Sequence, residues 1–531
     1  MATVAVSRTR RRFERVRASD ALLVGATLAA LAVVSVYVRT RAISGSFWMD
    51  EGLSVGIASY PLSEIAGVLR EDGSPPLYYM LLHVWMDVFG RSETAVHWLS
   101  LTAALLTIPA AMWAGWSLWG RRAGYVGAVL CALLPFLTAY GEEARMYALM
   151  ALFALLASAC FLHAFVYRRR GWLPAFAVLL ALMLYTHSWG IFFGVGAALA
   201  FLLVLRTSPG EDRRRLLIDA ALAFGGAALL YLPWVPTLLY QASHTAAPWA
   251  NKPRFGVPVQ IARDVLGGYG PAVALLLAAG FGLAALLAAQ RARADRERLA
   301  VWVLVTIPVV TIGLAWGLSQ ISPAWASRYF AAFVGPLLLL MTLGLSRAGK
   351  LGLVALACVC LFWIKPSEYV DGYKSDVRDI GAEVGSQMSA GDLVLVGQPE
   401  QTPLVWYYMP GGLRYADTIG PVEHPRHMDW VDALDRLEAA DAREVLPALL
   451  AKLRPGQKVL FVRPLTEGVQ NWKAPWTQLV RRRSAQWGAI LAGDTTLQQV
   501  QVAPQFYRGA STVGNSAVLY EKVHEAPTQA P

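Results

Sequence analysis

The chain has 531 residues, of which 56% are hydrophobic and only 16% charged, and this composition is too apolar for an ordinary soluble enzyme. Its net charge of +11 does not indicate nucleic-acid binding, because the basic residues cluster in short loops between long apolar runs. That distribution is typical of a polytopic membrane protein. The four cysteines all lie within apolar runs, so the sequence predicts neither a zinc site nor a disulfide framework.

The N-terminus combines a basic arm with the first apolar segment. Residues 1–19 carry several arginines and predict a cytoplasmic arm, and residues 20–38 are apolar enough to span a membrane. This pattern also resembles a signal peptide. We interpret it as an uncleaved span, because no small-x-small cleavage site precedes Trp48 and further apolar runs follow.

A long outer loop is predicted over residues 39–91, between the first and second spans. Its first part carries an acidic pair, Asp50 and Glu51. Its second part opens with the prolines and tyrosines of residues 74–79 and continues as an aromatic-rich helix of roughly 15 residues. A helix of that length is too short to span, so we expect it to lie along the membrane surface.

About eleven spans are predicted within residues 20–364. Their approximate limits are 20–38, 92–119, 123–140, 145–167, two spans within 172–206, and then 216–235, 270–289, 299–318, 329–345 and 351–364. An odd number of spans places the two termini on opposite sides. The excess of Lys and Arg in alternate loops predicts a protein of the cytoplasmic (inner) membrane, with a cytoplasmic N-terminus and an extracytoplasmic C-terminal domain.

Residues 365–531 have the composition of a soluble domain. Short apolar runs bounded by turn residues predict buried strands at 392–397 and 457–462. Helices are predicted at 376–388 and 430–453. Strands that alternate with helices indicate a small α/β layer domain.

The acidic residues at the predicted outer surface are the first candidates for chemistry. A carboxylate close to the hydrocarbon layer is costly, so acids in such positions tend to be functional. Asp50 and Glu51 follow the apolar residues 47–49, which would hold them at the interface, although a solvated pair after a helix end would give the same pattern. Glu143 returns to the same predicted surface at the start of the fourth span.

Arginines at the same surface are candidates for binding an anion. Glu142 and Arg145 are spaced i,i+3 and Glu143 and Tyr147 are spaced i,i+4, so each pair would share a helix face. An arginine in the first helical turn opposes the helix dipole, and we therefore expect Arg145 to have an anionic partner, either Glu142 or a ligand phosphate. Arg328 has a similar position, where it could equally serve as an interfacial anchor.

Four short stretches occur in order along the predicted outer surface. They are Phe47–Glu51, Ser74–Tyr79 with Leu82–Trp85, Glu143–Tyr147 and Ser327–Tyr329. Together they resemble the landmarks of the bacterial membrane glycosyltransferases of the GT-C fold, which include protein O-mannosyltransferases and lipid A aminoarabinose transferases. The resemblance covers roughly residues 20–364. Ser74 departs from it, because the family often has a histidine there, and this leaves the donor identity open.

The resemblance implies roles for individual residues. Asp50 would be the general base, with Glu51 as its acidic neighbour and Glu143 as the second acid. Arg145 would bind the donor phosphate. The remaining residues expected at the site are Arg328 and Lys252 as further phosphate-binding cations, and Tyr78, Tyr79, Tyr147 and the otherwise structural His187 as its lining.

The reaction implied is transfer of a sugar from a polyprenyl-phosphate donor to an acceptor hydroxyl, with inversion at the anomeric carbon. The acceptor could be a glycan, a lipid or a protein. The expected partners are this donor, this acceptor and membrane lipid, and nucleic acid is not among them. No cofactor is indicated, although an acidic pair can attract a divalent cation. The alternatives are a transporter or flippase of lipid-linked sugars, and a structural scaffold.

Overall fold

The computed structural model describes residues 2–245, 247–289, 292–365, 374–465, 473–505 and 514–524. Helices α1–α17 make up the membrane part of the chain. Their bounds are Ala2–Arg39 (α1), Met49–Ala58 (α2), Leu62–Asp72 (α3), Leu77–Phe89 (α4), Glu93–Trp119 (α5), Arg121–Leu133 (α6), Pro135–Gly141 (α7), Tyr147–Phe161 (α8), Leu173–Thr186 (α9), Gly190–Arg206 (α10), Gly210–Tyr231 (α11), Val235–His244 (α12), Val257–Gln260 (α13), Tyr269–Ala288 (α14), Ala292–Ser319 (α15), Ala331–Arg347 (α16) and Gly349–Trp363 (α17).

Hydropathy identifies the membrane-crossing helices in the described part of the chain. Seven helical segments are long and apolar enough to cross a membrane, and the pair α6–α7, bent by 48°, would make an eighth. The apolar helices α9, α10 and α17 occupy the positions of the other three predicted spans but are shorter. Each of the eleven apolar segments predicted from the sequence is therefore helical, and the predicted polytopic helical fold is confirmed.

The predicted outer loop between the first two spans is itself mostly helical. It contains α2, α3 and α4, of which α4 has 13 residues and is the short aromatic helix expected from the sequence. Helix α3 ends at Gly73, whose φ of +93° is a left-handed conformation that favours glycine. Asp50 and Glu51 therefore lie in the first turn of a helix rather than in an extended loop.

The C-terminal part is a small α/β domain, as predicted. Its helices are Val377–Val384 (α18), Thr402–Tyr408 (α19), Ala433–Ala439 (α20), Ala442–Leu450 (α21) and Pro475–Gly493 (α22), and its strands are Leu393–Val396 (β1), Arg414–Asp417 (β2), Pro421–Val422 (β3), Lys458–Pro464 (β4), Leu497–Ala503 (β5) and Asn515–Lys522 (β6). The sheet order is β3-β2-β1-β4-β6-β5. Strand β1 pairs in parallel with β2 and β4, and the outer pairs are antiparallel.

One predicted element is wrong. The sequence predicts a single helix over residues 430–453, but the chain forms two shorter helices, α20 and α21, in this region. The break falls at Asp441, whose side chain accepts a hydrogen bond from the backbone amide of Arg443 at 2.9 Å. This contact caps a new helix start and satisfies an amide that the end of a helix leaves free.

The soluble domain packs directly on α2. A Cβ atom added at Gly52 would lie 2.6 Å from the Cα atom of Leu404, and one added at Gly56 would lie 1.9 Å from the backbone oxygen of Arg426. Both helical positions therefore need glycine for close approach of two backbones. The main hydrophobic core is continuous across this contact, since it includes buried residues of the membrane helices together with Leu404.

Candidate active site

The start of α2 positions both acidic side chains. Trp48 is extended and precedes the helix, and Glu51 Oε2 accepts a hydrogen bond from the Trp48 amide at 3.2 Å. Carboxylates in a first helical turn are stabilised by the free amides and by the helix dipole. Because Asp50 and Glu51 are consecutive in this turn, their side chains leave the helix in different directions.

Glu51 is fully buried and holds four parts of the chain together. Its Oε1 atom accepts hydrogen bonds from His97 Nε2 at 2.7 Å, Lys374 Nζ at 2.8 Å and the Ala144 amide at 2.8 Å. Lys374 also donates to the backbone oxygen of Glu142 at 2.7 Å. The carboxylate therefore connects α2 with α5, with the segment before α8 and with the chain that enters the soluble domain.

The charge of Glu51 is set by these partners. Burial alone would raise its pKa, but the charges and hydrogen bonds of Lys374 and His97 outweigh this effect and lower the pKa to about 2. Glu51 is thus ionised throughout the physiological range. An ionised carboxylate with every oxygen engaged is suited to fixing the position of α2.

Asp50 faces a more open space. Its Oδ2 atom lies 3.6 Å from Arg328 Nη2 and makes no hydrogen bond. Its backbone oxygen accepts a hydrogen bond from Arg145 Nη1 at 3.2 Å. The structure therefore places Asp50 beside both arginines of interest, with its carboxylate in a long ion pair with Arg328, its backbone oxygen bonded to Arg145, and its Oδ2 atom without a hydrogen bond.

Arg145 is held at the base of this space. Its Nη1 atom also contacts Ser54 Oγ at 3.2 Å and Tyr79 OH at 3.3 Å, while its Nε atom has no hydrogen-bond partner. Glu142 is not its partner, because Glu142 Oε1 accepts from the Ala42 amide at 2.8 Å. The acids whose charges act on Arg145 are instead Asp50 and Asp72.

The helix faces expected for residues 142–147 are wrong. Helix α8 begins at Tyr147, and the five residues before it form an irregular segment. Within that segment the Arg145 amide donates to the backbone oxygen of Glu143 at 2.7 Å. The i,i+3 and i,i+4 spacings therefore do not apply, and it is this tight turn that brings Glu143, Ala144 and Arg145 to the site.

Aromatic rings surround Arg328. Its guanidinium lies 5.7 Å from the Trp48 ring, 5.3 Å from the Trp249 ring and 5.5 Å from the Tyr329 ring. Tyr329 in turn packs against His187 with ring centroids 4.5 Å apart. Cation–π contacts use the face of a guanidinium and leave its N–H edges available for an anion.

Tyr147 and His187 extend this wall towards α8 and α9, with ring centroids 6.1 Å apart. Burial, followed by the charges of Arg145 and Arg328, lowers the pKa of His187 to about 3, so its imidazole is neutral. Tyr78 is buried and shares a hydrogen bond with Ser100 at 2.9 Å.

Several buried polar atoms around Asp50 make no hydrogen bond. Six buried atoms of the site make no hydrogen bond to the described residues: Asp50 Oδ2, Asp72 Oδ2, Glu143 Oε1, Arg145 Nε, Tyr147 OH and Arg328 Nε. Buried polar groups are nearly always paired in proteins, so these atoms require a ligand or water. Their mixture of carboxylate and guanidinium groups suits a ligand with a hydroxyl and an anionic part.

Glu143 titrates close to neutral pH. Burial raises its pKa most, the charges of Glu51 and Asp50 raise it further, and it reaches about 7. Lys374 and Arg328 act in the opposite direction but do not cancel these effects. Glu143 can therefore gain or lose a proton under physiological conditions, unlike Glu51.

The sequence did not reveal three residues of the site. Lys374 and His97 bind Glu51 from 323 and 46 positions away, and no local pattern predicts such pairs. Asp72 is nearly buried, with an unpaired Oδ2, and burial raises its pKa while a hydrogen bond with Ser74 and the charge of Arg145 lower it. In the sequence, the only feature that marks Asp72 is its position shortly before Pro75 and Pro76.

Lys252 is not brought into the cluster. It is exposed on the segment after α12 and makes no hydrogen bond or ion pair with the site in the described structure. The backbone oxygens of Pro253 and Arg254 accept hydrogen bonds from Gln320 and Trp316, which hold this segment against the end of α15. Within the described residues, no group of three or more His, Cys, Asp and Glu side chains could hold a metal ion.

Comparison with known proteins agrees with this architecture. Residues 73–240 match the family model described as dolichyl-phosphate-mannose-protein mannosyltransferase. A search of curated protein sequences gives no significant match. The matched range includes the short aromatic helix, the segment with Arg145 and the turn with His187.

Solved structures match over most of the chain. ArnT from Cupriavidus metallidurans, crystallised with undecaprenyl phosphate, is 14% identical, with a TM-score of 0.61 over 94% of this chain and 98% of that chain. The oligosaccharyltransferase AglB from Archaeoglobus fulgidus, in complex with an inhibitory peptide and a dolichol-phosphate, is 11% identical, with a TM-score of 0.54 over 86% and 71%. The arabinofuranosyltransferase AftD from Mycobacteria is 17% identical, with a TM-score of 0.52 over 94% of this chain and 40% of its own. The chain thus has the GT-C fold, and the resemblance seen in the sequence is confirmed.

Proposed function

We propose that this GT-C-fold protein is a membrane glycosyltransferase that moves a sugar from a polyprenyl-phosphate donor to an acceptor hydroxyl. The observation that carries the proposal is the set of unpaired polar atoms around Asp50, Arg145 and Arg328. An acid whose Oδ2 atom makes no hydrogen bond, beside two arginines whose Nε atoms make none, suits transfer from a phosphate leaving group. ArnT, which shares the fold, has been crystallised with undecaprenyl phosphate, and the structure of AglB, which also shares it, is of a complex with a dolichol-phosphate.

Asp50 is the proposed general base. An acceptor hydroxyl must lose its proton as its oxygen attacks the anomeric carbon, and the unbonded Oδ2 atom of Asp50 can take that proton. A positioned base typically contributes about 10²–10⁴-fold to the rate. Attack from the side opposite to the phosphate inverts the anomeric centre, and no covalent intermediate on the enzyme is needed.

Arg145 and Arg328 are the proposed partners of the donor phosphate. The bond between the anomeric carbon and the phosphate oxygen breaks as negative charge grows on the leaving group. Fixed cations in a poorly hydrated site stabilise that charge without having to reorganise. Arg328 is oriented by the Trp48, Trp249 and Tyr329 rings, so it is held in place before the donor arrives.

The soluble domain is the proposed site of acceptor recognition. Gln398 Nε2 lies 3.7 Å from Met49 Sδ, one residue before Asp50, and α19 packs on α2. A glycan, lipid or protein acceptor would reach Asp50 along this boundary. We further propose that this face is extracytoplasmic and that the protein resides in the cytoplasmic membrane, since the basic loops cluster at the opposite ends of the spans.

The proposal is tested with purified protein, a labelled polyprenyl-phosphate sugar and a membrane extract as the source of acceptor. We expect release of polyprenyl phosphate to depend on the extract and to be matched by label on the acceptor. Movement of intact donor across a vesicle membrane without cleavage would instead establish a transporter and contradict the proposal.

A further inference from the structure

A cavity of about 490 Å³ lies at the end of the membrane domain opposite to Asp50. Helix α5 shows the separation, because it begins close to His97, which binds Glu51, and ends at Trp119 in the cavity wall. Its 27 residues span about 40 Å at 1.5 Å per residue. The cavity is therefore unconnected with the proposed transfer site.

The wall of this cavity combines aromatic and cationic side chains. Its polar and aromatic members include Trp116, Trp119, Tyr167, Arg169, Arg296 and Glu297. Tyr167 OH accepts a hydrogen bond from Trp119 Nε1 at 3.0 Å, so the indole and the phenol form one surface. Tryptophan and tyrosine are enriched where membrane helices meet the lipid headgroups.

The net charge of the cavity is positive. Its single acid, Glu297, is neutralised from outside by Arg347, whose Nε atom lies 3.0 Å from Glu297 Oε2. Neither Arg169 nor Arg296 forms an ion pair with any side chain that the structure describes. Two uncompensated guanidinium groups thus line a space large enough for a small ligand.

A buried histidine fixes the position of Arg169. Arg169 Nη1 donates to His163 Nδ1 at 3.0 Å, so the other ring nitrogen, Nε2, carries the proton and donates to Ser117 Oγ at 2.9 Å. His163 has no exposed surface and stacks on Trp172 with ring centroids 5.1 Å apart. The neutral imidazole of His163 therefore accepts a hydrogen bond that holds the Arg169 guanidinium at the cavity wall. No acid among the described residues forms an ion pair with this guanidinium.

The backbone beside Arg169 is unusual. The last turn of the α8 span, Leu162–Val166, is a π-helix, and Arg168 has a φ of +61°. A residue with a side chain rarely adopts this left-handed conformation, and such strain persists where the surrounding structure requires it. Here it turns the chain so that Arg169 lines the cavity and reaches His163.

We propose that this cavity binds the phosphate-bearing headgroup of an anionic membrane lipid. Arginine suits forked contacts with phosphate oxygens, and basic pockets between membrane helices are a known form of lipid-headgroup site. The aromatic wall favours a lipid over free phosphate, because its rings would pack on the glycerol and the first acyl carbons. This site goes beyond the proposed sugar transfer and does not depend on it.

The test compares lipid retention by native mass spectrometry. Protein is purified from nanodiscs of phosphatidylcholine with a minor fraction of phosphatidylglycerol. The double variant Arg169→Gln with Arg296→Gln should retain phosphatidylglycerol at least about tenfold more weakly, since each surface arginine contributes about 1 kcal/mol. The matched control, Arg214→Gln with Arg215→Gln, removes the same charge from exposed positions outside the cavity and should behave as wild type.

Two further measurements separate loss of lipid binding from loss of folding and from binding of free phosphate. Arg296→Gln alone removes an exposed side chain without ion pairs, so it should fold normally and still weaken retention about fivefold. Millimolar inorganic phosphate should not displace the lipid from wild-type protein. Equal retention by the wild type and both cavity variants would overturn the proposal, as would displacement of the lipid by inorganic phosphate.

Discussion

The consecutive carboxylates Asp50 and Glu51 belong to one site but have opposite surroundings. Every donor around Glu51 is used: it is enclosed and bonded to His97, Lys374 and Ala144. Around Asp50, several buried polar atoms make no hydrogen bond. The difference indicates two roles within the site. The half around Glu51, whose polar atoms are hydrogen-bonded, fixes the geometry. The half around Asp50, where several polar atoms are not, is left for substrate.

Removal of the Glu51 charge should have the largest effect on stability. Glu51→Gln leaves the Lys374 ammonium without its counter-ion, and loss of one partner of a buried ion pair costs about 3–5 kcal/mol. We expect a large decrease in the melting temperature in detergent. Glu64→Gln, on an exposed face of α3, is the control and should melt as wild type. A variant with wild-type melting would show that the Glu51 contacts do not hold the fold.

Low pH should weaken the stabilising contacts of Glu51. The pKa of Glu51 is lowered in the folded protein, from an ordinary value of 4.5 to about 2. Its contribution to stability is therefore complete above about pH 4.5 and is lost as the pH falls towards 2, and it amounts to roughly 3 kcal/mol. Melting curves from pH 6 to pH 3 should show this loss in the wild type and a much flatter profile in Glu51→Gln. The same dependence of melting temperature on pH in the wild type and in Glu51→Gln would show that the loss of stability does not come from Glu51.

Changes in the half of the site around Asp50 should affect catalysis more than stability. Arg328→Gln removes a charged hydrogen-bond donor that we assign to the phosphate, so the KM for the donor should rise about 10–100-fold, with a smaller decrease in melting temperature than in Glu51→Gln. Arg254→Gln, an exposed arginine on a neighbouring segment, should leave that KM within about twofold of wild type. An unchanged donor KM in Arg328→Gln would remove this residue from phosphate binding.

The smallest expected effect concerns Glu143. Because its pKa is raised to about 7, Glu143 is mostly neutral below pH 7 and ionised above it. The added negative charge beside Asp50 should weaken binding of an anionic donor, so the wild-type donor KM should rise several-fold between pH 6 and pH 8. Glu143→Gln should show a flat profile over this range. The same rise in the variant would assign the pH dependence to another group.

Much of the architecture could be predicted, because lipid imposes simple rules. Membrane-crossing helices need long apolar runs, so all eleven predicted segments correspond to helices. In the soluble domain only β1 and β4 were predicted, since both are buried and apolar. Strand β5 was missed because it is mostly exposed and contains Gln498, Gln499 and Gln501, which carry no hydrophobic pattern.

The candidate site was predictable only where its residues are local. Asp50 and Arg145 could be identified from their positions at span ends. The partners of Glu51 could not, because Lys374 lies 323 residues away and is brought in by docking of the soluble domain. The same docking places Gly52 of α2 against α19, a contact that no local propensity reveals.

The most direct test of the account is Asp50→Asn, with turnover and melting temperature measured on the same preparation. The substitution keeps the shape of the side chain and removes its negative charge, and with it the ability to accept a proton. The account predicts that transfer falls by about 10²–10⁴-fold while the melting temperature stays at the wild-type value. Wild-type turnover in this variant would contradict it, as would a loss of stability as large as that of Glu51→Gln.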